Sequence, residues 1–266
     1  MSTALPKSRA KASRTQRGRP RANSAQHTLG RERILQATLE LIDEKGLAAF
    51  GIRDLASRLG VFPAAIYWHV PNRDALVAGA IGIALAGVGE GLPAGNWQLR
   101  LGALMRQFRA ALRRHPALAP AVASQLAYNA AFDATLLNEV VAALEDAGFE
   151  GDALVDAFNV VIGAMCGFAT LELSTAPVEA AGDWEAACCE QVDTIDAQRY
   201  PALGRNAHAL RNRAFLLRWS SGEERPLDSG FDAWIDVVLS GLEARSQALR
   251  STQSKRKKLA SPRGAG

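Results

Sequence analysis

The hydrophobic residues of this chain recur at three- and four-residue intervals, the period of helices rather than of strands. Ile34, Leu35, Ala37, Thr38, Leu41 and Ile42 mark the packed side of a helix over about 30–45, closed by Gly46. Ile52, Leu55, Ala56 and Leu59 mark a second, stopped at Gly60, which can take the positive φ that ends a helix. Pro63 suits the first turn of a third helix, where its missing N–H costs little. That helix is short, roughly Phe62 to Trp68. Val61 and Ile66 face inward, leaving Pro63, Ala64, Tyr67, Trp68 and His69 toward solvent or a partner. Asn72 is placed to cap a fourth helix, Asp74 to Leu85, with Asp74 in its favourable first turn. Two helices joined by a short glycine-containing turn form a helix-turn-helix, here about 51–70, whose second member normally enters a major groove.

Beyond Ile83 a Gly/Ala/Pro-rich connector leads to a helix over Trp97–Arg114, with Leu99, Leu101, Leu104, Met105, Phe108, Ala111 and Leu112 on its apolar side. His115-Pro116 ends it, because proline restricts the residue before it, and His115 reads as a C-cap or turn residue. Leu118–Ala127 and Phe132–Asp146 predict two further helices, the second ended by Ala147-Gly-Phe149. Gly151–Leu173 is apolar nearly all round and is expected to be buried against several neighbours. Residues 175–228 are the least regular. They suggest a helix over Trp184–Ala197 and a helix or lid over Leu210–Trp219. Phe231–Gln247 closes the folded body with the stripe Phe231, Trp234, Ile235, Val237, Val238 and Leu242.

At 266 residues the chain can bury one large core or form two domains, and its 22% charged and 48% hydrophobic residues are those of a soluble globular protein. The net charge of +4 is unevenly spread. Residues 1–29 carry seven Lys/Arg and no acid, and residues 250–266 carry six and no acid, so both ends read as basic disordered segments. Between them 18 bases face 27 acids, a net of −9. Within the N-terminal arm, Arg17-Gly-Arg-Pro-Arg21 places Arg17 and Arg19 on a flat, extended stretch suited to a narrow minor groove. The compact head, residues 30–82, has six bases and six acids, so its affinity for DNA rests on geometry and helix ends more than on bulk charge.

Cys166, Cys188 and Cys189 make no even disulfide framework, which implies a reducing compartment. No eighteen-residue apolar run and no signal-peptide pattern occur, so a cytoplasmic protein with no membrane partner is expected. There is no G-x-S-x-G, glycine-rich nucleotide loop or H-E-x-x-H, and the histidines at 27, 69, 115 and 208 are scattered. No catalytic residue, metal or cofactor is expected.

The head pattern Arg53-x-Leu-Ala56, Leu59-Gly-Val61, Ile66-Tyr-Trp-His-Val70 and Asn72-Arg73 resembles the TetR family of bacterial transcriptional regulators, in wording closest to its tetracycline-repressor branch. Val161-Ile-Gly-x-x-x-Gly-Phe-x-x-Leu-Glu172 and Phe231-x-x-Trp-Ile-x-x-Val-Leu-x-Gly-Leu-Glu243 are similar to that branch's C-terminal domains. The resemblance covers about residues 30–248. It implies an all-α chain: a basic arm (1–29), a DNA-binding head (30–88), an effector-binding and dimerisation body (89–248) and a basic tail (249–266). It also implies that the long helix before the variable region pairs, with the last helix, against a second subunit. Carried over by position, Arg53 contacts DNA near the start of the second helix, Tyr67 and His69 grip the backbone, Trp68 edges the reading surface, and Arg73 caps the contact. Pro63, Ala64 and Ala65 stand where that branch carries base-reading side chains. No Gln, Arg or Asn is present there for a bidentate base contact, which leaves apolar contacts from Ala64 or Ala65 to a thymine methyl, so that branch's operator is not to be assumed.

The expected function is a homodimeric repressor on a palindromic DNA operator, released by a small, mostly apolar effector. Met105, Phe108, Phe132, Phe158 and Phe168 are the candidate effector-pocket walls. The alternative is a DNA-associated architectural protein that works through its basic tails and ignores small molecules.

Overall fold

The computed structural model describes residues 29–127, 134–174 and 184–260, and within them the chain forms eleven α-helices and no strand. The head comprises α1 (Arg31–Lys45), α2 (Ile52–Leu59), α3 (Pro63–Tyr67) and the start of α4 (Arg73–Ala84). α1 lies along α4, and the buried side chains Ile34, Leu35, Leu41 and Ile42 meet Leu76, Val77, Ala80 and Ile81 in one core. Gly60 ends α2 in the left-handed region, at φ 67° and ψ 33°, which turns the chain into α3 without a Cβ penalty. Asn72 caps α4 by accepting a hydrogen bond from the Ala75 N–H at 2.8 Å.

The body is built around α5 (Trp97–Arg114), which touches α4, α7 (Ala134–Asp146), α8 (Gly151–Glu172) and α11 (Asp228–Ala260). A 3-10 turn at Pro116–Leu118 leads from α5 into α6 (Ala119–Ala127), which packs on α8 and on α4. α9 (Trp184–Asp193) and α10 (Pro201–Leu210) flank this body. α11 runs antiparallel to α5: Asp228 bonds Arg109, Asp232 bonds Arg106, and Ile235 approaches Gly102.

Five expectations are corrected. Leu99 is exposed, because it stands about 200° around the helix from Leu101 and opposite the packed stripe. α8 is not buried all round: Val155, Val160 and Leu171 are exposed on one face. α9 stops at Asp193 rather than Ala197. Of the two readings of Leu210–Trp219, helix or lid, the helix is excluded, since α10 ends at Leu210 and both Asn212 (φ 52°) and Leu216 (φ 66°) break the helical path. Finally, the last helix does not stop near Gln247; residues 249–260 continue α11 instead of forming a disordered tail. By length and composition α8 is also apolar enough to cross a membrane. Here it packs against four other helices and ends in a buried ion pair.

Candidate nucleic-acid interface and effector body

α3 is only five residues long, too short to persist by itself, and Ile66 together with Val70 anchors it to the head core. The opposite side is open. Ala64, Tyr67 and His69 are exposed, Pro63 and Ala65 are half-buried, and Trp68 is 88% exposed. Phe62, which the sequence pattern did not single out, is 85% exposed at the N-terminal end of α3. Two large rings therefore flank a surface of small side chains. A large apolar ring left in water on a compact head is the informative exception to ordinary burial. The signal for Phe62 was present, because it follows half-buried Val61 at the end of the turn.

The head's cations divide into engaged and unengaged groups. Arg58 bonds Glu44, which holds that carboxyl below its usual range, and Lys45 pairs with Asp54 at 3.3 Å. Arg73 donates to the Leu47 carbonyl at 2.8 Å and the Phe50 carbonyl at 3.5 Å, with its guanidinium 5.5 Å from the Phe50 ring centre. It thus ties the α1–α2 loop to the start of α4. Arg53 is exposed in the first turn of α2 and makes no side-chain bond among the described residues. Gly51 offers α2 no side-chain cap, so the opening amides and Arg53 lie together at a helix N-terminus, where an anion is favoured. Arg17 and Arg19 lie outside the described residues.

Head and body meet where the 3-10 turn packs on α1 and α6 packs on α4. His115 caps α5 as expected, and its Nδ1 also lies 2.8 Å from Asp43 Oδ2 on α1. Thr170 of α8 donates to the Ala119 carbonyl of α6 at 3.3 Å. Packed contacts thus run from α8 through α6 to α4.

Of the five candidate pocket residues, Met105, Phe108 and Phe168 are buried and Phe158 is half-buried against the same core, while Phe132 lies outside the described residues. Phe168 is packed among Phe215, Phe231 and Trp234, with ring centres 5.2, 5.1 and 6.2 Å away. A cavity of about 200 Å³ opens beside that cluster, bordered by Glu172, Phe215, Arg218 and Trp219. A larger one of about 450 Å³ lies between α9, α10 and the loop after α10. None of the four described candidates, Met105, Phe108, Phe158 and Phe168, borders either space.

Sequence reasoning missed the body's charged centre. Arg109 donates to both carboxylate oxygens of Glu172, at 2.7 and 2.6 Å, and to Asp228 at 2.8 Å. Glu172 has no exposed surface, and its Oε1 also accepts the Leu227 N–H at 2.8 Å. The Glu172 hydrogen bond raises the Arg109 pKa against the opposing effect of burial. The position of Arg109 carried the clue, for it lies four residues after Met105 and three before Leu112, inside the packed stripe.

The exposed faces of α8 and α11 adjoin. Val155, Val160, Trp234 and Val237 are exposed, and Gly163 and Gly241 have open space where a Cβ would stand. The Trp234 indole N–H donates to the Ala164 carbonyl at 3.1 Å, which joins the two helices.

Residues 34–80 match the family described as bacterial regulatory proteins, tetR family, and residues 91–246 match the tetracyclin repressor-like C-terminal domain. Over 90 residues the chain is 39% identical to tetracycline repressor protein class D of Escherichia coli, a stretch covering 33% of this chain and 41% of that protein. The match therefore spans less than half of that relative. An HTH-type transcriptional regulator of Saccharopolyspora erythraea is 29% identical over 179 residues, 67% of this chain and 75% of that one. ActR of Streptomyces coelicolor, solved in complex with actinorhodin, superposes with a TM-score of 0.62 at 21% identity, covering 82% of this chain and 97% of that chain. At that identity the likeness is one of fold.

Proposed function

Since this chain belongs to the tetR family of bacterial regulatory proteins, we propose that it is a repressor that holds a palindromic operator as a homodimer and leaves it when a small, mostly apolar effector enters the body. The observation that carries this reading is the α3 surface, anchored from behind by Ile66 and Val70 and open in front at Ala64, Tyr67, Trp68 and His69. Ala64 and Ala65 read thymine methyl groups rather than forming bidentate base contacts. Tyr67, His69 and the unengaged Arg53 hold phosphates and fix register. Arg73 acts through the loop it ties down, positioning α2 and α3 relative to α4. The head spans 30–88 and the body 89–248, and the Arg17–Arg19 arm follows the minor groove.

The effector occupies space made when the Met105, Phe108, Phe158 and Phe168 side chains part. It shifts the equilibrium because it binds that opened body better than the operator-holding one. Movement of α8 then reaches α4 through α6 and alters the separation of the two recognition helices, which must dock one helical turn apart.

Selecting bound duplexes from a random library with the purified protein, at near-physiological salt, tests the reading. An enriched palindrome is expected. Binding that vanishes steeply with salt and enriches no sequence would overturn it and favour the tail-driven architectural alternative. Tyr67→Ala is expected to weaken binding to the enriched operator roughly tenfold without changing the sedimentation of the dimer.

A further inference from the structure

One large apolar group beside α3 has no part in the operator contacts described above. Phe62 immediately precedes α3, and its ring is 85% exposed. It stands outside the head core, and among the described residues no aromatic ring or cation stacks on it. Val61 before it packs against the core and Ile66 after it is fully buried, so the segment is anchored while the ring is left in water. A single exposed apolar residue is ordinary, but Phe62 and the 88% exposed Trp68 bracket the same five-residue helix. Two such rings on one small surface mark a place where a partner sits.

The backbone beneath the Phe62 ring is fixed. Pro63 restricts the residue before it to extended conformations, and Phe62 sits at φ −80° and ψ 148°. Its carbonyl accepts the Ala65 N–H at 2.9 Å. The ring therefore stands on a rigid stalk and has only χ1 and χ2 to lose on contact, a small ordering cost. Its position selects the occupant. In a helix-turn-helix the first residues of the recognition helix reach the base edges, and Phe62 stands at that end of α3 while Trp68 stands at the other. A phenyl ring carries no donor or acceptor, and the side chains of Pro63, Ala64 and Ala65 add none. The major groove presents one apolar group, the C5-methyl of thymine. A polar base edge facing the ring instead would lose its water with no hydrogen bond in return.

We propose that Phe62 is a specificity-determining residue, whose ring packs on one thymine methyl in each half-site and excludes the other bases from that position. The inference rests on the operator-holding reading above and adds to it the group that chooses among sequences. Ala64 and Ala65 each bring a single methyl, and Ala65 is already half-buried, so the ring is the larger apolar surface available to a base.

The test is duplex selection from a random library run in parallel with the wild-type full chain and Phe62→Ala. Affinity is then measured for the wild-type-selected duplex with deoxyuridine, which lacks the methyl, in place of the thymine in both half-sites. Wild type is expected to enrich a palindrome with a fixed thymine in each half-site, and Phe62→Ala the same palindrome with that position relaxed. The deoxyuridine duplex is expected to bind wild type about tenfold more weakly, from two lost methyl contacts, and Phe62→Ala less than about twofold more weakly. Phe62→Leu, still apolar, should keep most of the discrimination. Because the ring is exposed, thermal melting and sedimentation of Phe62→Ala are expected to match wild type. An unchanged motif with Phe62→Ala, a wild-type motif without a Phe62-dependent thymine, or an equal loss on deoxyuridine substitution in both proteins would each overturn the inference and leave the operator reading standing. A wild-type protein that enriches no palindrome would remove both.

Discussion

Glu172 shows how one residue can hold a body together at a cost. Its carboxylate is fully enclosed and is balanced by Arg109 and the Leu227 amide. Removing one partner of such a pair leaves an uncompensated buried charge. Glu172→Gln is therefore expected to lower stability by about 3 kcal/mol, read from urea melts, whereas the double change Arg109→Met with Glu172→Leu should recover much of that loss. Cys166 makes a pH-dependent contribution. Burial raises it from 9.0 to about 11, so the folded state favours the neutral thiol. Its share of stability is fully present below pH 9 and is lost as pH rises through about 11. Relative to Cys166→Ala, the wild-type protein should lose about 2–3 kcal/mol across that window. Arg109 was legible from its place on the helical wheel. Its partner was not, because residues 63 positions apart leave no local trace.

Among the elements, short α3 depends on its surroundings, whereas α11 exceeds what its hydrophobic stripe announced. The stripe Phe231, Ile235 and Leu242 fades after Ser246, yet the backbone stays helical to Ala260. Basic residues are good helix formers, and with no proline or glycine between 242 and 260 nothing local stops the helix. The segment after α10 illustrates the opposite case. Its apolar composition suggested a helix or a lid; positive φ at Asn212 and Leu216 rules out the helix, and the Asn212 carboxamide accepts the Trp219 and Ser220 amides at 3.2 and 3.0 Å. Gly222 fixes where this loop docks, since a Cβ there would lie 2.7 Å from the Glu172 carbonyl oxygen. Gly222→Ala is expected to cost about 2 kcal/mol by thermal melting, because the obstacle is backbone and cannot rotate away.

For the whole molecule, the direction of α11 carries the chain away from the head. α5 is about 27 Å long, with the head docked near its C-terminal end through His115 and Asp43. α11 runs the other way, and its Ser246 bonds the Ala147 carbonyl at the end where Asp146 pairs with Arg100. The part of α11 after Arg250 therefore leaves the body on the side remote from the head. The proposed homodimer would use the exposed apolar face of α8 and α11. Val237 is 68% exposed there, so Val237→Glu should be harmless to a monomer. It is expected to shift the sedimentation of the protein to that of a single chain at micromolar concentration, and a dimer that survives the change would place the interface elsewhere.

Local pattern determined the four helices of the head, the turn at Gly60, the Asn72 cap, the ends of α5 and the outward placement of Tyr67, Trp68 and His69. Each follows from interactions within one or two turns of helix, which is the range over which periodicity and capping act. Tertiary structure decided the rest: the Arg109–Glu172–Asp228 cluster, the engagement of Arg73 with the α1–α2 loop, the Cys189–Arg211 contact and the exposed face of α8. These depend on which distant segments meet, and a sequence records the chemistry of each side chain without recording its partner.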